Sequence, residues 1–548
     1  MKSPSNEVGS SVPIAPLETT TAKVFSLFDQ LLVAAGNAAD DAKSIVDAQS
    51  TLTYRELIAS TCEFCERLAE VGVQRHARVA VILGNRKEFL VSAFGIWRRG
   101  AVLVPLSPQL LQLEVRKCFL DASVHAVVGN LSRRSMVEAL RQGGVQIEHA
   151  WFYDSRRNKW LYDGKDRIQP AGVNIHSAGS SDATTEPSWP ALTQYSTGST
   201  GLPKRITRTH AQIISESLSI ARVLQLTPAD RIIGIAPFFH CYGLVVSALA
   251  TLFSTATLYP IDGFLPNAIA RTITDNELTG FPGVPFMFRL LGELDGSHKL
   301  SSLRFALSAG APLPSATATR FRSLYGVQIR QLYGSTETGV ISTTDPRVDV
   351  CDDQSVGFAI PGVSIEIVDA TERVVPTDQV GRVRVTSEFA PAAYDDSVPT
   401  SESYFVKTGF FPGDLGRLSE DGRLTLAGRL RGFINVNGLK VDPCEVEAVL
   451  RELADITDVV VFGVPDARSG KDTGSGEIVW AVLVASNADA RRAVRAHCAR
   501  HLAPFKCPQI FEFRDALPTN QLGKVLRGAL MTEIESRNSF PSPDNVRA

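Results

Sequence analysis

The sequence feature that most limits the possible folds of this chain is a series of short β-branched runs, which alternate with helical stretches. The runs Arg78–Leu83, Ala101–Val104 and His125–Gly129 are separated by segments with the apolar spacing of helices. This alternation favours a mainly parallel, doubly wound sheet with helices on its faces. Upstream, Val24–Val71 has helical periodicity that breaks near Thr53, a residue able to cap the next helix. We therefore predict an α/β fold.

Length and composition predict several globular domains and exclude some classes of partner. The 548 residues exceed one ordinary hydrophobic core, so two or more domains are expected. The net charge of −2 gives no electrostatic argument for nucleic acid or an anionic membrane. The apolar run Gly243–Phe253 is too short to span a bilayer. Residues 1–21 lack the apolar segment of a secretory signal, so we expect a disordered leader and a cytoplasmic protein.

A stretch rich in glycine and hydroxyl residues, YSTGSTGLPKRITRTH at Tyr195–His210, predicts a loop that holds phosphates. Glycine allows backbone N–H groups to approach an anion, hydroxyls donate to phosphate oxygens, and Lys204 adds a positive charge. The stretch is not a GxxxxGK[ST] loop, because Lys204 follows a proline and precedes Arg205. A flexible Ser/Thr/Gly linker is the alternative interpretation.

Two further motifs follow predicted strands, and a third lies between two strands of a smaller antiparallel unit. Leu303–Pro314 runs from a strand into a small-residue turn that allows close approach of a flat ligand. Gln331–Glu337 follows another short strand, and its Thr336 and Glu337 offer oxygens suited to Mg²⁺. Asp414 is predicted to be exposed on a turn between glycines. In doubly wound sheets ligands lie beyond the carboxyl ends of the strands, where the turns of Leu303–Pro314 and Gln331–Glu337 would gather.

Two segments allow a structural as well as a functional interpretation. His240 lies among aromatic residues in Pro237–Gly243, which suits either a core histidine or the mouth of an apolar pocket. Cys62 and Cys65 share the face of a predicted helix, and without a second pair core packing is favoured over zinc or redox chemistry. Asp154–Pro190, polar and rich in glycine and proline, is predicted to be a long connection.

The C-terminal part is predicted to be a compact α+β module. After Gly428–Gly432, a basic turn suited to a hinge, come a strand, a helix, two strands and a second helix. The module ends in PTNQLGK, whose loop-forming residues would present Lys524. Any lysine taken alone is by default a solvated surface residue.

Taken together and in their order, YSTGSTGLPK, SAGAPL, YGSTE, GD, GR and PTNQLGK resemble the adenylate-forming superfamily, which includes acyl-CoA synthetases and aryl-CoA ligases. The resemblance runs from about Leu52 to Leu530. It implies a large N-terminal α/β domain with parallel and mixed sheets packed by helices, a β-barrel-like subdomain, and a small mobile α+β lid. We expect a leader at 1–21, the AMP-binding domain at 22–428, the lid at 429–535 and a tail at 536–548.

The resemblance also implies roles for individual residues. ATP would be bound by Ser196, Thr197, Gly198, Ser199, Thr200, Lys204, Gly310, Ala311, Pro312, Gln331, Tyr333, Gly334, Asp414, Arg429 and Lys524. Thr336, Glu337 and Lys524 would be catalytic, Thr200 and Glu337 would hold Mg²⁺, and Asp414 would bind the ribose hydroxyls. Arg431 would be the hinge, and Asn437, Gly438 and Lys440 would line a tunnel for the thiol.

The substrate is predicted to be an aryl or fatty acid rather than an α-amino acid. Amino-acid-activating members of the superfamily carry an aspartate that pairs the substrate ammonium group, in the motif that Phe238–Gly243 resembles. This segment has no acid, and burying that charge unpaired would be costly. By the same resemblance His240 and Tyr242 would lie near the carboxylate end of the substrate, and Phe281, Val284 and Phe286 are candidates for the pocket wall. The chain departs from the family pattern at four positions, which are Arg205, Arg382, Pro412 and Asn435.

Three functions remain open from the sequence. The first is an acid–thiol ligase that uses ATP, Mg²⁺ and coenzyme A to make an acyl-CoA. The second is an acyl-AMP ligase that loads the pantetheine thiol of a carrier protein acting in trans. The third is a catalytically silent nucleotide-binding protein, against which the presence of Lys524, Glu337 and Asp414 argues.

Overall fold

The computed structural model describes residues 25–110, 112–163, 185–196, 204–296, 298–344, 355–395, 404–429, 434–436, 439–441, 443–465, 477–502, 504–520 and 525–538. The helices are α1 Leu27–Asn37, α2 Tyr54–Glu70, α3 Lys87–Arg98, α4 Gln112–Asp121, α5 Arg134–Gln142, α6 His210–Val223, a π-helical segment Tyr242–Leu249 that continues into α7 Ala250–Phe253, α8 Pro266–Asp275, α9 Pro285–Gly292, α10 Ser315–Tyr325, α11 Pro443–Arg451, α12 Ala488–His501 and α13 Arg527–Asn538. None of the helices in these ranges combines the length and apolarity needed to cross a bilayer.

One sheet is formed by the first half of the chain and has seven strands within the described residues. Its strands are β3 Arg78–Ile82, β4 Val102–Pro105, β5 Val124–Asn130, β6 His149–Asp154, β7 Lys159–Tyr162, β8 Pro190–Ser196 and β9 Lys204–Thr209, in the order β7-β6-β5-β3-β4-β8-β9. The pairs β3–β4, β3–β5, β4–β8 and β5–β6 are parallel. The predicted parallel arrangement of the β-branched runs is confirmed.

A larger sheet, with fifteen strands among the described residues, joins a parallel half to an antiparallel half. Its strands are β1 Lys43–Val46, β2 Thr51–Thr53, β10 Arg231–Gly234, β11 Thr257–Pro260, β12 Gly280–Gly283, β13 Phe305–Ser308, β14 Ile329–Ser335, β15 Gly339–Thr343, β16 Ser355–Ala359, β17 Val363–Val368, β18 Gly381–Ser387, β19 Tyr404–Val406, β20 Gly409–Phe411, β21 Asp414–Leu418 and β22 Leu424–Arg429. The parallel half includes β11-β10-β12-β13-β14, and from β14 onward the pairs are antiparallel. The change of direction at β14 places the YGSTE motif at the junction of the two halves.

The C-terminal residues form separate small sheets. These are β23 Ile434–Val436 with β24 Leu439–Val441, and β25 Ile456–Pro465, β26 Glu477–Ala485 and β27 Ile510–Arg514. Val446 and Leu450 of α11, together with Val494 of α12, are fully or nearly fully buried in a core of their own. The predicted mixed α/β architecture, with a large N-terminal sheet domain and a small C-terminal unit, is confirmed.

Local sequence signals account for several element ends. Thr53 accepts a hydrogen bond from the Glu56 N–H while the Glu56 carboxylate accepts from the Thr53 N–H, so a capping box starts α2 as predicted. Thr209 and Gln212 form the same reciprocal cap at α6, directly after the glycine-rich stretch. Cys62 is buried within α2, in agreement with the core-packing interpretation.

Two predictions of local structure are wrong. The expected connection Asp154–Pro190 contains β7, because Trp160 and Tyr162 pack their rings against Phe64 and Trp151 and so add a strand to the sheet edge. Residues 164–184 of that connection lie outside the described residues. The YGSTE motif does not follow a strand, since Gln331–Ser335 is itself the end of β14.

Candidate active site

A β-hairpin frames the glycine-rich stretch. Ser196 at the end of β8 and Lys204 at the start of β9 are register partners in an antiparallel pair, so the stretch between them connects two neighbouring strands. Thr197, Gly198, Ser199 and Thr200 lie outside the described residues, and their predicted contacts with phosphate stay predictions. The hairpin holds both ends of the stretch next to each other, which a flexible linker does not require. The loop interpretation is therefore favoured over the linker interpretation.

The hairpin is joined to the aromatic segment that carries His240. The side-chain nitrogen of Gln194, two residues before Ser196, donates to the carbonyl of Phe239 at 3.3 Å. The imidazole of His240 lies against the Phe239 ring with a centroid distance of 4.6 Å and is half-buried. Burial lowers the pKa of His240 to about 4, so the ring is neutral at physiological pH. No described residue hydrogen-bonds its ring nitrogens.

The other predicted pocket residues lie close by, but their polar and aromatic groups are engaged in the fold. The Tyr242 hydroxyl donates to the carbonyl of Leu307 in β13 at 3.1 Å, and burial raises the pKa of this phenol. Phe281 is fully buried, and its ring centroid lies 4.9 Å from that of Phe288. Val284 is buried in the same core cluster. Phe286 is half-buried and packs edge-on against Phe264 at 5.7 Å.

The turn after β13 is open to a flat ligand. Gly310 has a φ of +84°, and the nearest atom to a Cβ placed there is Cγ1 of Val284 at 3.9 Å. Ala311 and Pro312 are exposed beside it. At the end of β13 the hydroxyl of Ser308 is buried and has no hydrogen-bond partner among the described residues.

Strand β14 brings Tyr333 to the carboxylate of Asp414. The Tyr333 hydroxyl donates to Oδ2 of Asp414 at 2.6 Å, and both side chains are buried. The prediction that Asp414 is exposed on a turn is wrong: it is the first residue of β21 and only 5% exposed. In the antiparallel pair of β21 and β22, the register partner of Asp414 is Arg429, the other residue expected at the ribose.

The neighbouring positions of β14 shape its turn. The side-chain nitrogen of Gln331 donates to the Ser355 carbonyl at 3.2 Å, so this residue fastens β14 to β16. Gly334 lies where a Cβ would come within 2.6 Å of the Gly339 carbonyl oxygen, so the bend excludes any larger residue. The half-buried Thr336 follows it on the turn.

The carboxylate of Glu337 is buried, at 8% exposure, and accepts a hydrogen bond from the Tyr394 hydroxyl at 3.1 Å. No described cation lies within ion-pair distance of it. A buried carboxylate without a counter-charge is costly, and a bound Mg²⁺ would offset its charge. The donor set therefore fits the magnesium ion that the sequence predicts here.

Arg205, one of the departures from the family pattern, ties β9 to the segment that carries Tyr394. Its Nε donates to Oδ2 of Asp395 at 2.9 Å, and Thr207 donates to the same oxygen at 2.6 Å. A second guanidinium nitrogen of Arg205 contacts Asp121. The chain from Arg205 through Asp395 and Tyr394 therefore links the strand after the glycine-rich stretch to Glu337. Sequence reasoning missed Tyr394 and Asp395, because neither belongs to a motif.

A second link from β9 to the same turn is fully buried. Nη1 of Arg208 lies 2.5 Å from Oε2 of Glu216, and both side chains are 1% exposed. The other carboxylate oxygen of Glu216 accepts from the backbone N–H of Val340 at 2.9 Å, three residues after Glu337. The sequence does not predict this ion pair, because Arg208 and Glu216 are eight positions apart and belong to different elements, β9 and α6.

The predicted residues of the lid fall largely outside the described residues. This holds for Lys524, Arg431, Asn437 and Gly438, and it holds for the side chain of Lys440 in β24. Their expected roles remain predictions.

The comparison with protein-family profiles shows which family this chain belongs to. A profile described as AMP-binding enzyme matches residues 33–393, more than half of the chain. The chain belongs to the AMP-binding enzyme family. A second profile, AMP-binding enzyme C-terminal domain, matches residues 445–524. The resemblance to the adenylate-forming superfamily is thereby confirmed, and the chain is an enzyme of that superfamily.

Relatives of this AMP-binding enzyme match it over most of their length. "4-coumarate--CoA ligase-like 9" from rice (Oryza sativa subsp. japonica) is 28% identical and covers 91% of both chains. "Long-chain-fatty-acid--CoA ligase" from Bacillus subtilis is 26% identical, over 88% of this chain and 90% of the relative. ATP-bound MatB from Rhodopseudomonas palustris superposes with a TM-score of 0.80 at 26% identity, covering 94% of this chain and 99% of MatB.

The fold extends to a more distant solved structure. The anthranilate CoA ligase AuaEII, in complex with anthranoyl-AMP, gives a TM-score of 0.81 at 21% identity and covers 96% of this chain and 100% of its own. At this identity the likeness concerns the fold alone. The mixed α/β arrangement described above is thus shared with enzymes of this family.

Proposed function

We propose that this AMP-binding enzyme is an ATP-dependent acid–thiol ligase, which adenylates an aryl or fatty carboxylic acid and transfers the acyl group to coenzyme A. The observation that carries the proposal is that both carboxylates, Glu337 and Asp414, are buried next to β14: Asp414 accepts a hydrogen bond from Tyr333 of that strand. Glu337 follows the strand and is linked through Tyr394 and Asp395 to Arg205 of the hairpin that frames the glycine-rich stretch. Relatives named as CoA ligases, and a relative solved with ATP, support the same reaction.

The proposed site has a charge distribution suited to adenylation. A carboxylate that attacks a triphosphate brings like charges together, and cationic groups must offset the charge that develops in the transition state. Glu337 and Thr200 would hold Mg²⁺, which neutralises phosphate charge. Asp414, held by Tyr333, would accept hydrogen bonds from the ribose hydroxyls, and Arg429 would lie beside them. Lys524 would bridge the acid and the α-phosphate.

A lid function for the C-terminal residues completes the proposal. Residues 429–535 would turn about Arg431 between the two half-reactions, so that Lys524 serves adenylation while Asn437, Gly438 and Lys440 line the path of the thiol. Such a closure excludes water from a reactive acyl adenylate. The domain limits at 22–428 and 429–535 are part of the same proposal.

The acid pocket favours an uncharged acyl part. His240 is neutral and lies against the Phe239 ring, and Val284 lies beside the Gly310 turn. No acidic residue in Phe238–Gly243 is available to pair a substrate ammonium group. An aryl or fatty acid meets both conditions, because its carboxylate is its only charged group.

The test is carboxylate-dependent exchange of pyrophosphate into ATP over a panel of aryl, medium-chain and long-chain acids. We expect exchange with members of this panel and little with α-amino acids. Addition of coenzyme A should then give the acyl-CoA, detected by mass. Exchange without acyl-CoA would contradict the acceptor and favour a carrier-protein thiol, and no exchange with any acid would favour a silent nucleotide-binding protein.

Two variants test the residue assignments. Lys524→Ala should abolish exchange, whereas Lys299→Ala, which removes an exposed lysine in the N-terminal part, should retain it. Asp414→Asn should raise the KM for ATP, because a neutral amide is a weaker acceptor for the ribose hydroxyls. Full exchange activity in Lys524→Ala would refute the role given to that lysine.

A further inference from the structure

Three side chains in the C-terminal part, which the proposed reaction does not use, converge on one point. His497 and His501 lie four residues apart on α12, so their rings share one face of the helix, and Glu452 follows the end of α11. Nε2 of His497 lies 3.2 Å from Oε2 of Glu452, and Nδ1 of His501 lies 3.6 Å from the same oxygen. We propose that these three residues form a binding site for Zn²⁺ or a divalent cation of similar ligand preference.

The spacing of the ligand atoms suits a tetrahedral ion. Zinc binds imidazole nitrogen and carboxylate oxygen at about 2.0–2.2 Å, which separates neighbouring ligands in a tetrahedron by roughly 3.3 Å. The separations of 3.2 and 3.6 Å from the Glu452 oxygen bracket this value, and all three ligand atoms lie within 4.8 Å of one another. Rotation of the side chains would therefore bring the three atoms onto one ion, with a fourth position left for water.

The helices α11 and α12, which position the three ligands, pack against each other without a bound ion. The two imidazole rings stack at a centroid distance of 4.2 Å and an angle of 23°, and because a metal ion lies in the plane of each imidazole that binds it, the rings would turn out of this stack on binding. Below them, Val446 and Leu450 of α11 share a buried core with Val494 and Cys498 of α12. A preorganised frame lowers the entropic cost of binding.

Solvent reaches the site, and the ligand atoms can give up their present hydrogen bonds to bind an ion. The side chains of Glu452 and His501 are 55% and 44% exposed, so an ion has direct access from solvent. The better-buried His497, at 12% exposure, has Nε2 at 2.9 Å from the Val449 carbonyl. Coordination would replace that hydrogen bond with the metal bond, so the ion would fasten the end of α11 to α12.

The experiment uses the untagged full-length chain, since a polyhistidine tag would bind the same ions. The protein is dialysed against a chelator, then titrated with ZnCl₂ in the absence of nucleotide, and zinc per chain is measured by elemental analysis and calorimetry. We expect one ion per chain and, with Co²⁺ as the probe, the absorption bands of a tetrahedral site. His501→Ala and Glu452→Gln should each weaken binding by roughly tenfold or more.

The control is His125→Ala, which removes an exposed histidine from β5 far from this cluster in the sequence and should leave zinc binding unchanged. Near-ultraviolet circular dichroism of each metal-free variant checks that its fold is retained. Zinc uptake only at millimolar concentration, or stoichiometric uptake that neither His501→Ala nor Glu452→Gln weakens, would overturn the proposal. The zinc titration uses neither ATP nor an acid substrate, so a negative result would not count against the proposed ligase activity.

Discussion

The buried Arg208–Glu216 pair gives the sharpest prediction about stability. In Glu216→Gln the guanidinium keeps its charge, while both side chains are 1% exposed and Nε and Nη2 of Arg208 already have no partner among the described residues. Removing one member of a buried pair costs about 3–5 kcal/mol, because the remaining charge is uncompensated. The glutamine oxygen can still accept from the Val340 N–H, so we expect the lower value, about 3 kcal/mol.

The measurement is urea unfolding followed by tryptophan fluorescence. Trp97, Trp151, Trp160 and Trp189 all precede residue 190, so the signal reports mainly on the N-terminal part. A loss of about 3 kcal/mol changes the unfolding equilibrium constant roughly a hundredfold and moves the midpoint to lower urea. The double variant Arg208→Met with Glu216→Leu should recover much of the loss, because apolar residues remove both charges.

A matched control distinguishes the effect of burial from the effect of removing a charge. The Arg231–Glu277 ion pair joins side chains that are 42% and 75% exposed, so Glu277→Gln should cost less than about 1 kcal/mol. An unchanged midpoint in Glu216→Gln, or a double variant less stable than that single variant, would refute the reasoning that an uncompensated buried charge dominates.

The remaining predictions concern the site and its turn. Tyr333→Phe removes the hydroxyl that donates to Asp414 at 2.6 Å, so the KM for ATP should rise by about tenfold; an unchanged KM would contradict the ribose role. Tyr394→Phe removes the contact that orients Glu337, so half-maximal exchange should require more Mg²⁺, and an identical Mg²⁺ titration would count against it. Gly339→Ala combines a φ of +71° with a Cβ 2.5 Å from the buried carboxylate of the Arg208 pair, so the melting temperature should fall measurably.

The motifs were visible in the sequence because their chemistry depends on local backbone. The segments Ser196–Lys204 and Tyr333–Glu337 carry glycines and hydroxyls in short runs, and such runs favour turns through local backbone chemistry. The helix start at Thr53 was predicted for the same reason, since a capping box involves residues only three apart. The strand β7 was missed, because aromatic packing against Phe64 and Trp151 overrides the polar composition of its surroundings.

The family, the α/β class and the order of the motifs can be inferred from the amino-acid sequence, because each depends on residues close together along the chain. Three contacts emerge only from the folded arrangement of the strands: the hydrogen bond from Tyr333 to the buried Asp414, the contact of Tyr394 with Glu337, and the pairing of Arg208 with Glu216. The reason is physical: burial and pairing of a charge depend on which strands are neighbours, and the register of a sheet joins residues that no local pattern connects.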